Sequence, residues 1–268
     1  MINLQLPFLN HFPLSKKATK RLRIFAGPNG SGKSTLAKAL KNPKDKRIKL
    51  GVFVNADEIE QALNKDGFVS LYKYFRFTVT TKELRTYILS RGMSPKLLKG
   101  KEIEQQFSIR KNKIYLKNKT YNSYLAADIA GFVRNQLLLK GNSFSFETVF
   151  SHPSKLAIIE EAKALGFKIY FYFLTTDAPE INVNRVKVRV AKSGHPVPEK
   201  KIIDRYYRSL DLLFDAIKMS DRAFLFDNSG KHYELVAQIT NGKHVEITDY
   251  DKIIPNWFIK YIFNKIPQ

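Results

Sequence analysis

Residues 22–35 read Leu22-Arg23-Ile24-Phe25-Ala26-Gly27-Pro28-Asn29-Gly30-Ser31-Gly32-Lys33-Ser34-Thr35, a short apolar run, a glycine-rich turn and the beginning of a helical pattern. The turn matches G-x-x-x-x-G-K-[ST] and stands where that motif belongs, after a strand and before a helix. Glycines there let backbone N–H groups converge on phosphate oxygens without Cβ obstruction. The helix N-terminus adds its partial positive charge. In such a loop the lysine, Lys33, reaches the β- and γ-phosphates and the hydroxyl of Ser34 coordinates Mg²⁺. Gly27, Pro28, Asn29, Gly30, Ser31, Gly32, Lys33, Ser34 and Thr35 are the expected nucleotide-binding residues. No N-K-x-D element that would read guanine is present, so ATP is expected rather than GTP. The absence of an apolar run ending in paired Asp-Glu, and of an L-S-G-G-Q-like signature, argues against a transporter-type motor.

Outward from the loop, strand-like and helix-like stretches alternate. Gly51–Asn55, Ser143–Val149, Lys168–Thr175 and Ala223–Asp227 are short runs rich in Phe, Tyr, Val and Ile, and they read as strands. Helical periodicity covers Tyr124–Leu139, Lys155–Leu165 and Glu199–Met219, the last with Ile202, Tyr206, Leu210, Leu213 and Ile217 on one face. Alternation of this kind predicts an α/β fold, a parallel sheet with helices on both faces. Residues 1–268 read as one domain. Tyr233–Ile239 and His244–Thr248, joined through Asn241-Gly242, predict a terminal hairpin within 230–250. The segment 70–119 breaks the alternation. It holds 13 Lys or Arg against 3 acids, with a helix over Thr81–Ser90 and a hairpin over Gln106–Leu116 turning at Lys111-Asn112. It reads as a basic insertion, either a solvated decoration, a substrate lid or a nucleic-acid contact.

Chemistry-bearing residues cluster at the ends of the predicted strands, where ligands of open α/β sheets collect. Asn55-Ala56-Asp57 ends the second strand. Asp57 is the expected catalytic base, able to accept a hydroxyl proton from an acceptor, although Asp there also suits a helix cap. Glu147 and Thr148 close the next strand, and a carboxylate in that position needs a partner: Mg²⁺ through water, a substrate hydroxyl, or a structural salt bridge. Arg185 and Arg189 lie four apart on one helical face, and Arg205 and Arg208 three apart on the next helix, separated by Gly194-His195-Pro196-Val197-Pro198. Phosphoryl transfer needs positive charge around the equatorial oxygens. An arginine-bearing helical lid over 178–219, with Arg185 and Arg189 as catalytic candidates, would supply that charge and exclude water. His195 reads as a turn residue.

Composition narrows the classes further. The 268 residues are 44% hydrophobic and 13% aromatic, enough for a substantial core. With no cysteine, disulfide scaffolds, cysteine-ligated zinc and thiol catalysis are excluded. No run approaches the ~18 apolar residues of a membrane span, and Met1–Leu14 lacks a signal-peptide pattern, so a cytoplasmic address is expected. The formal charge is +22, with 27 basic and 9 acidic residues in 1–134 against 19 and 15 in 135–268. Such a field concentrates polyanions, whether nucleotides or nucleic acid.

The strings G-P-N-G-S-G-K-S-T, F-V-N-A-D-E-I, F-S-F-E-T-V-F-S and N-R-V-K-V-R-V-A-K-S-G-H-P-V-P-E-K-K-I-I-D-R-Y-Y-R-S-L together resemble the zeta-toxin-like P-loop kinases. They are most similar to the stand-alone bacterial branch of that family. The resemblance covers about 22–66 and 120–230. It implies an adenylate-kinase-like P-loop NTPase fold and an ATP-dependent kinase. Zeta toxins transfer phosphate to the sugar 3′-hydroxyl of UDP-N-acetylglucosamine. It implies Lys33 and Asp57 as catalytic residues, lid arginines beside them, and Asn55, Glu147 and Thr148 at the substrate, although the glycine the family places between Glu and Thr is missing here. A separate antitoxin protein is the partner it implies. A nucleic-acid-dependent ATPase or polynucleotide kinase is the second reading, prompted by the basic segment with Tyr72, Tyr74, Phe75 and Phe77 interleaved. A nucleotide-gated binding module is the third.

Overall fold

The structure, a computed structural model, describes residues 19–41, 48–92, 107–117, 123–191, 196–249 and 253–266. In chain order its elements are β1 (Arg21–Ala26), α1 (Lys33–Leu40), β2 (Val52–Val54), α2 (Ala56–Asp66), β3 (Phe68–Ser70), α3 (Thr81–Arg91), β4 (Phe107–Arg110), β5 (Lys113–Leu116) and α4 (Ser123–Leu139). There follow β6 (Phe144–Thr148), α5 (Ser154–Ala164), β7 (Lys168–Thr175), α6 (Pro179–Ala191), α7 (Glu199–Asp211), α8 (Leu213–Met219), β8 (Arg222–Asp227), β9 (Glu234–Thr240), β10 (His244–Ile247) and α9 (Asn256–Tyr261).

The main sheet has the order β2-β6-β1-β7-β8-β9-β10. The strands from β2 to β8 are mutually parallel, and β9 and β10 extend the sheet antiparallel. The expected α/β architecture is therefore the one found. Strand β1 is central, and Leu22, Ile24, Phe25 and Ala26 are fully buried because helices cover both faces. Alternation along the strands divides the core in two. Ile24, Phe146, Phe171 and Phe173 face the larger cluster under α2, α4 and α5, while Phe25, Tyr172 and Leu174 pack with Leu36 and Ala37 of α1. Because β1, β2, β6 and β7 all run the same way, their carboxyl ends bring Gly27, Asn55, Thr148 and Thr176 to one edge.

Three expectations are corrected. First, the segment 70–119 is not a surface decoration. Among its described residues, β4 and β5 join β3 in a second antiparallel sheet of order β3-β5-β4. Leu84, Ile88, Phe107 and Ile114 are fully buried in the main core. The turn at Lys111-Asn112 has positive φ at both residues, and the buried Asn112 side chain accepts from the Val79 N–H (3.1 Å) and donates to the Phe77 carbonyl (2.7 Å), pinning the preceding loop. Residues 93–106 and 118–122 lie outside the described residues. Second, the aromatic stacking surface dissolves. Tyr74 and Phe75 are buried, Phe75 stacks on Phe77 with centroids 4.3 Å apart, and of the four only Tyr72 is exposed. Third, the helix over Glu199–Met219 breaks at Leu212, which lets Leu213, Ala216 and Ile217 of α8 turn into the core. No Pro or Gly marks this break.

Asn241 and Gly242 form the expected hairpin turn, both at positive φ. The hairpin is not free-standing, since β9 pairs with β8. No helix among the described residues is long and apolar enough to cross a membrane. If the 70–119 segment is part of the core, Ile88→Ala costs the ~2–5 kcal/mol of a buried aliphatic truncation. Urea denaturation reads this directly, and a surface decoration would lose well under ~0.5 kcal/mol.

Candidate active site

The glycine loop leaves β1 and curls beneath the start of α1. Gly27 sits at φ 137 with its α-carbon against the Leu174 carbonyl, so any side chain there collides with backbone. At Gly30 a Cβ would lie 2.7 Å from the Asn182 carbonyl oxygen. Both glycines are demanded by close approach as well as by positive φ. Ser31 is buried behind them, while Ser34 and Thr35 at the head of α1 face solvent.

Lys33 is only 7% exposed and donates to the Pro28 carbonyl at 2.7 Å. Burial pulls its ammonium down to about 8, opposed by the negative charges of Glu147 and Asp57 and reinforced by the positive charges of Arg189 and Arg205. Residues from the loop, α2, β6, α6 and α7 thus share one electrostatic neighbourhood.

Ser34 Oγ donates to Glu147 Oε1 at 2.6 Å, and Glu147 Oε2 is buried with no hydrogen-bond partner. Glu147 makes no salt bridge among the described residues. A carboxylate oxygen left bare beside a hydroxyl is an incomplete donor set, of the kind a hard cation takes. No group of three or more His, Asp or Glu gathers as a metal site among the described residues. Any Mg²⁺ here would therefore rest on few protein ligands plus phosphate, as Mg²⁺ commonly does.

The cap of α2 falls on Asn55, not Asp57: Asn55 Oδ1 accepts from the Asp57 N–H at 2.9 Å. Asn55 is thereby engaged in the backbone, and the exposed Asp57 carboxylate is free of the capping role. Thr148 Oγ1 accepts from the Phe150 N–H at 3.3 Å and holds the turn after β6, where Phe150 takes positive φ.

The two arginines expected on a lid part company. Arg189 contributes to the field at Lys33, whereas Arg185 donates to the Gly230 carbonyl at 3.2 Å, on the loop after β8. Arg205, read from the sequence only as a lid charge, reaches the loop itself and donates to Asn29 Oδ1 at 3.3 Å. Arg208 bridges Asp204 on its own helix at 3.8 Å. His195 lies outside the described residues.

Sequence reasoning missed the polar frame beneath the loop. Asn228 donates to the Ser31 carbonyl at 2.8 Å. Thr176 Oγ1 donates to Asn182 Oδ1 at 2.6 Å, and Tyr206 OH to the Thr176 carbonyl at 2.6 Å. This chain of bonds ties α6 and α7 to the loop floor. Thr176 and Asn228 follow the carboxyl ends of β7 and β8, so the strand-edge rule could have found them; nothing local marks Asn182.

No protein-family model and no curated protein matches the chain. Among solved structures it is similar to one from the PezAT chromosomal toxin-antitoxin system of the human pathogen Streptococcus pneumoniae, at 11% identity and TM-score 0.50, covering 94% of this chain and 81% of that one. It is also similar to a chain of the AvrRxo1-ORF1:AvrRxo1-ORF2 structure with sulphate ions (14% identity, TM-score 0.49), covering 88% of this chain and 63% of that one. A third likeness is to the Pnkp1/Rnl/Hen1 RNA repair complex (15% identity, TM-score 0.40), over 71% of this chain and 44% of the other. The chain thus spans less than two thirds of the AvrRxo1 chain it matches. At these identities the likeness is one of fold, and the fold shared with the PezAT structure is the one the resemblance to zeta-toxin-like kinases implies.

Proposed function

We propose that the protein is an ATP-dependent phosphotransferase of the zeta-toxin-like kind, transferring the γ-phosphate to a hydroxyl of a small molecule. The observation that carries the reading is the convergence of Lys33, Asp57, Glu147, Arg189 and Arg205 around one glycine loop. In this reading the loop amides and Lys33 hold the triphosphate. Asp57 accepts the proton as the acceptor oxygen bonds to the γ-phosphorus and the bond to the ADP oxygen breaks. Arg189 and Arg205 gather the charge that develops on the transferred group. Ser34 and Glu147 would hold Mg²⁺, which would supply charge neutralisation at the phosphates. Thr148 and Asn55 line the acceptor side. UDP-N-acetylglucosamine is the acceptor the sequence resemblance favours, and a separate antitoxin the partner.

Incubation with Mg²⁺-ATP, with and without UDP-N-acetylglucosamine, followed by mass spectrometry, tests the reaction and the acceptor together. A phosphorylated sugar nucleotide supports both. Nucleotide binding that needs Lys33 but yields no product would remove that acceptor. The nucleic-acid reading rests on the basic N-terminal half and loses its aromatic platform with the burial of Tyr74 and Phe75. RNA-stimulated ATP hydrolysis that collapses with salt would restore it.

Nucleotide affinity follows the state of Lys33. Its folded value, about 8, lies below the usual 10.5, so between those pH values the folded chain holds fewer protons than the unfolded one. This group then contributes stability that increases as pH rises through that window. Bound phosphate favours the ammonium, so binding takes up a proton above about pH 8. Affinity falls by up to ~10-fold per pH unit there, the limit for one linked proton. Calorimetric titration of an ATP analogue across pH 7–10 measures the slope, and Lys33→Arg, always charged, flattens it.

A further inference from the structure

A cavity of about 320 Å³ lies between α3, α4, α5 and β6. Phe146 forms part of its wall. Its neighbour Glu147 points to the opposite sheet face, toward α1, so the cavity and the glycine loop lie on opposite sides of β6. None of the residues assigned to phosphoryl transfer lines it.

The cavity is charged in an unusual way. Arg134 and Lys155 both face it, with Arg91 at its edge bridged to Glu161 at 2.8 Å. Arg134 stacks over the Phe146 ring at 4.8 Å, and its buried Nε has no hydrogen-bond partner. The buried Asp128 acts on both Arg134 and Lys155, and the two cations repel each other. Arg134, Lys155 and Arg91 thus line the cavity with Glu161, while the buried Asp128 acts on Arg134 and Lys155 from behind, which leaves an excess of positive charge at the lining. Burial pulls Lys155 down to about 8, in keeping with that excess. The wall has also been shaped: Gly131 in the middle of α4 leaves room for the Tyr87 hydroxyl, which would stand 2.5 Å from a Cβ there. A mid-helix glycine costs ~1 kcal/mol relative to alanine.

We infer that this cavity is a second binding site, which takes a phosphate group carried by a small organic molecule other than the nucleotide. A guanidinium fork, an ammonium, the Tyr87 hydroxyl and the Asn135 amide offer more donors than a carboxylate can use and suit a tetrahedral oxyanion. Phe146, Leu138 and Ile158 accept an apolar body. The volume is that of a small-molecule pocket, at the lower end of the usual ~300–1,000 Å³. This inference stands independently of the phosphotransferase reading.

Phenyl phosphate is the probe, titrated by calorimetry into the full chain with the glycine loop saturated by a non-hydrolysable ATP analogue. Binding should persist under saturation and in Lys33→Ala. It should weaken at least ~10-fold in Lys155→Met, whose melting temperature should rise as a buried charge is removed. Ala157→Glu, on the exposed side of α5, brings a carboxylate to the rim without disturbing the core and should abolish binding. The inference is overturned if phenyl phosphate does not bind, if the ATP analogue displaces it, or if Lys155→Met and Ala157→Glu bind it as the wild type does. Equal or tighter binding of benzoate would overturn the phosphate assignment.

Discussion

Asp57→Asn is expected to lower turnover by about 10²–10⁴ while leaving Mg²⁺-ATP affinity within about twofold, the signature of a lost general base. The substitution keeps shape and removes only proton-accepting power. The fold tolerates it, because Asn55 rather than Asp57 caps α2 and the Asp57 side chain is exposed. Its carboxylate is close enough to act on the charge of Lys33. Single-turnover kinetics separate the outcomes. Loss of the chemical step with unchanged binding supports the base, whereas unchanged turnover would assign proton acceptance elsewhere.

The second large effect concerns the arginines. A positioned arginine in phosphoryl transfer is worth ~10³–10⁵ in rate. Arg189→Ala and Arg205→Ala are each expected to reduce turnover, with at least one reaching that range. Arg185→Ala should change turnover least, because that side chain donates to the Gly230 carbonyl on the loop after β8. Arg205 is the more informative variant. Its bond to Asn29 means that its loss also loosens the loop, so a rise in KM should accompany the fall in kcat. Equal turnover in all three variants would remove the lid from the mechanism.

Much of this protein was legible in the sequence because the signals are local. A glycine loop announces itself, since the conformations it needs are open to few other residues and the lysine and serine must follow at fixed spacing. Strands β1, β6, β7 and β8 read as short runs rich in Phe, Tyr, Leu and Ile because a central parallel strand is buried on both faces. Asp57 and Glu147 were found by one rule, that parallel strands deliver their ends to a common edge.

Tertiary structure decided what depends on partners distant in the chain. The basic character of 70–119 suggested a surface, yet Leu84, Ile88 and Phe107 lie among the core, and charge composition cannot say which apolar residues find cover. The separation of Arg185 from Arg189 is equally invisible in sequence. One helical turn apart, they differ in what stands opposite, a carbonyl on the loop after β8 or the field of Lys33. The frame of Asn182, Thr176, Tyr206 and Asn228 forms only when α6, α7 and the end of β8 close over the loop. Sequence alone determined which residues stand at the strand edge, because covalent spacing sets their places along the chain. The direction of each long side chain was left to packing, because burial and charge act between residues that the chain order keeps far apart.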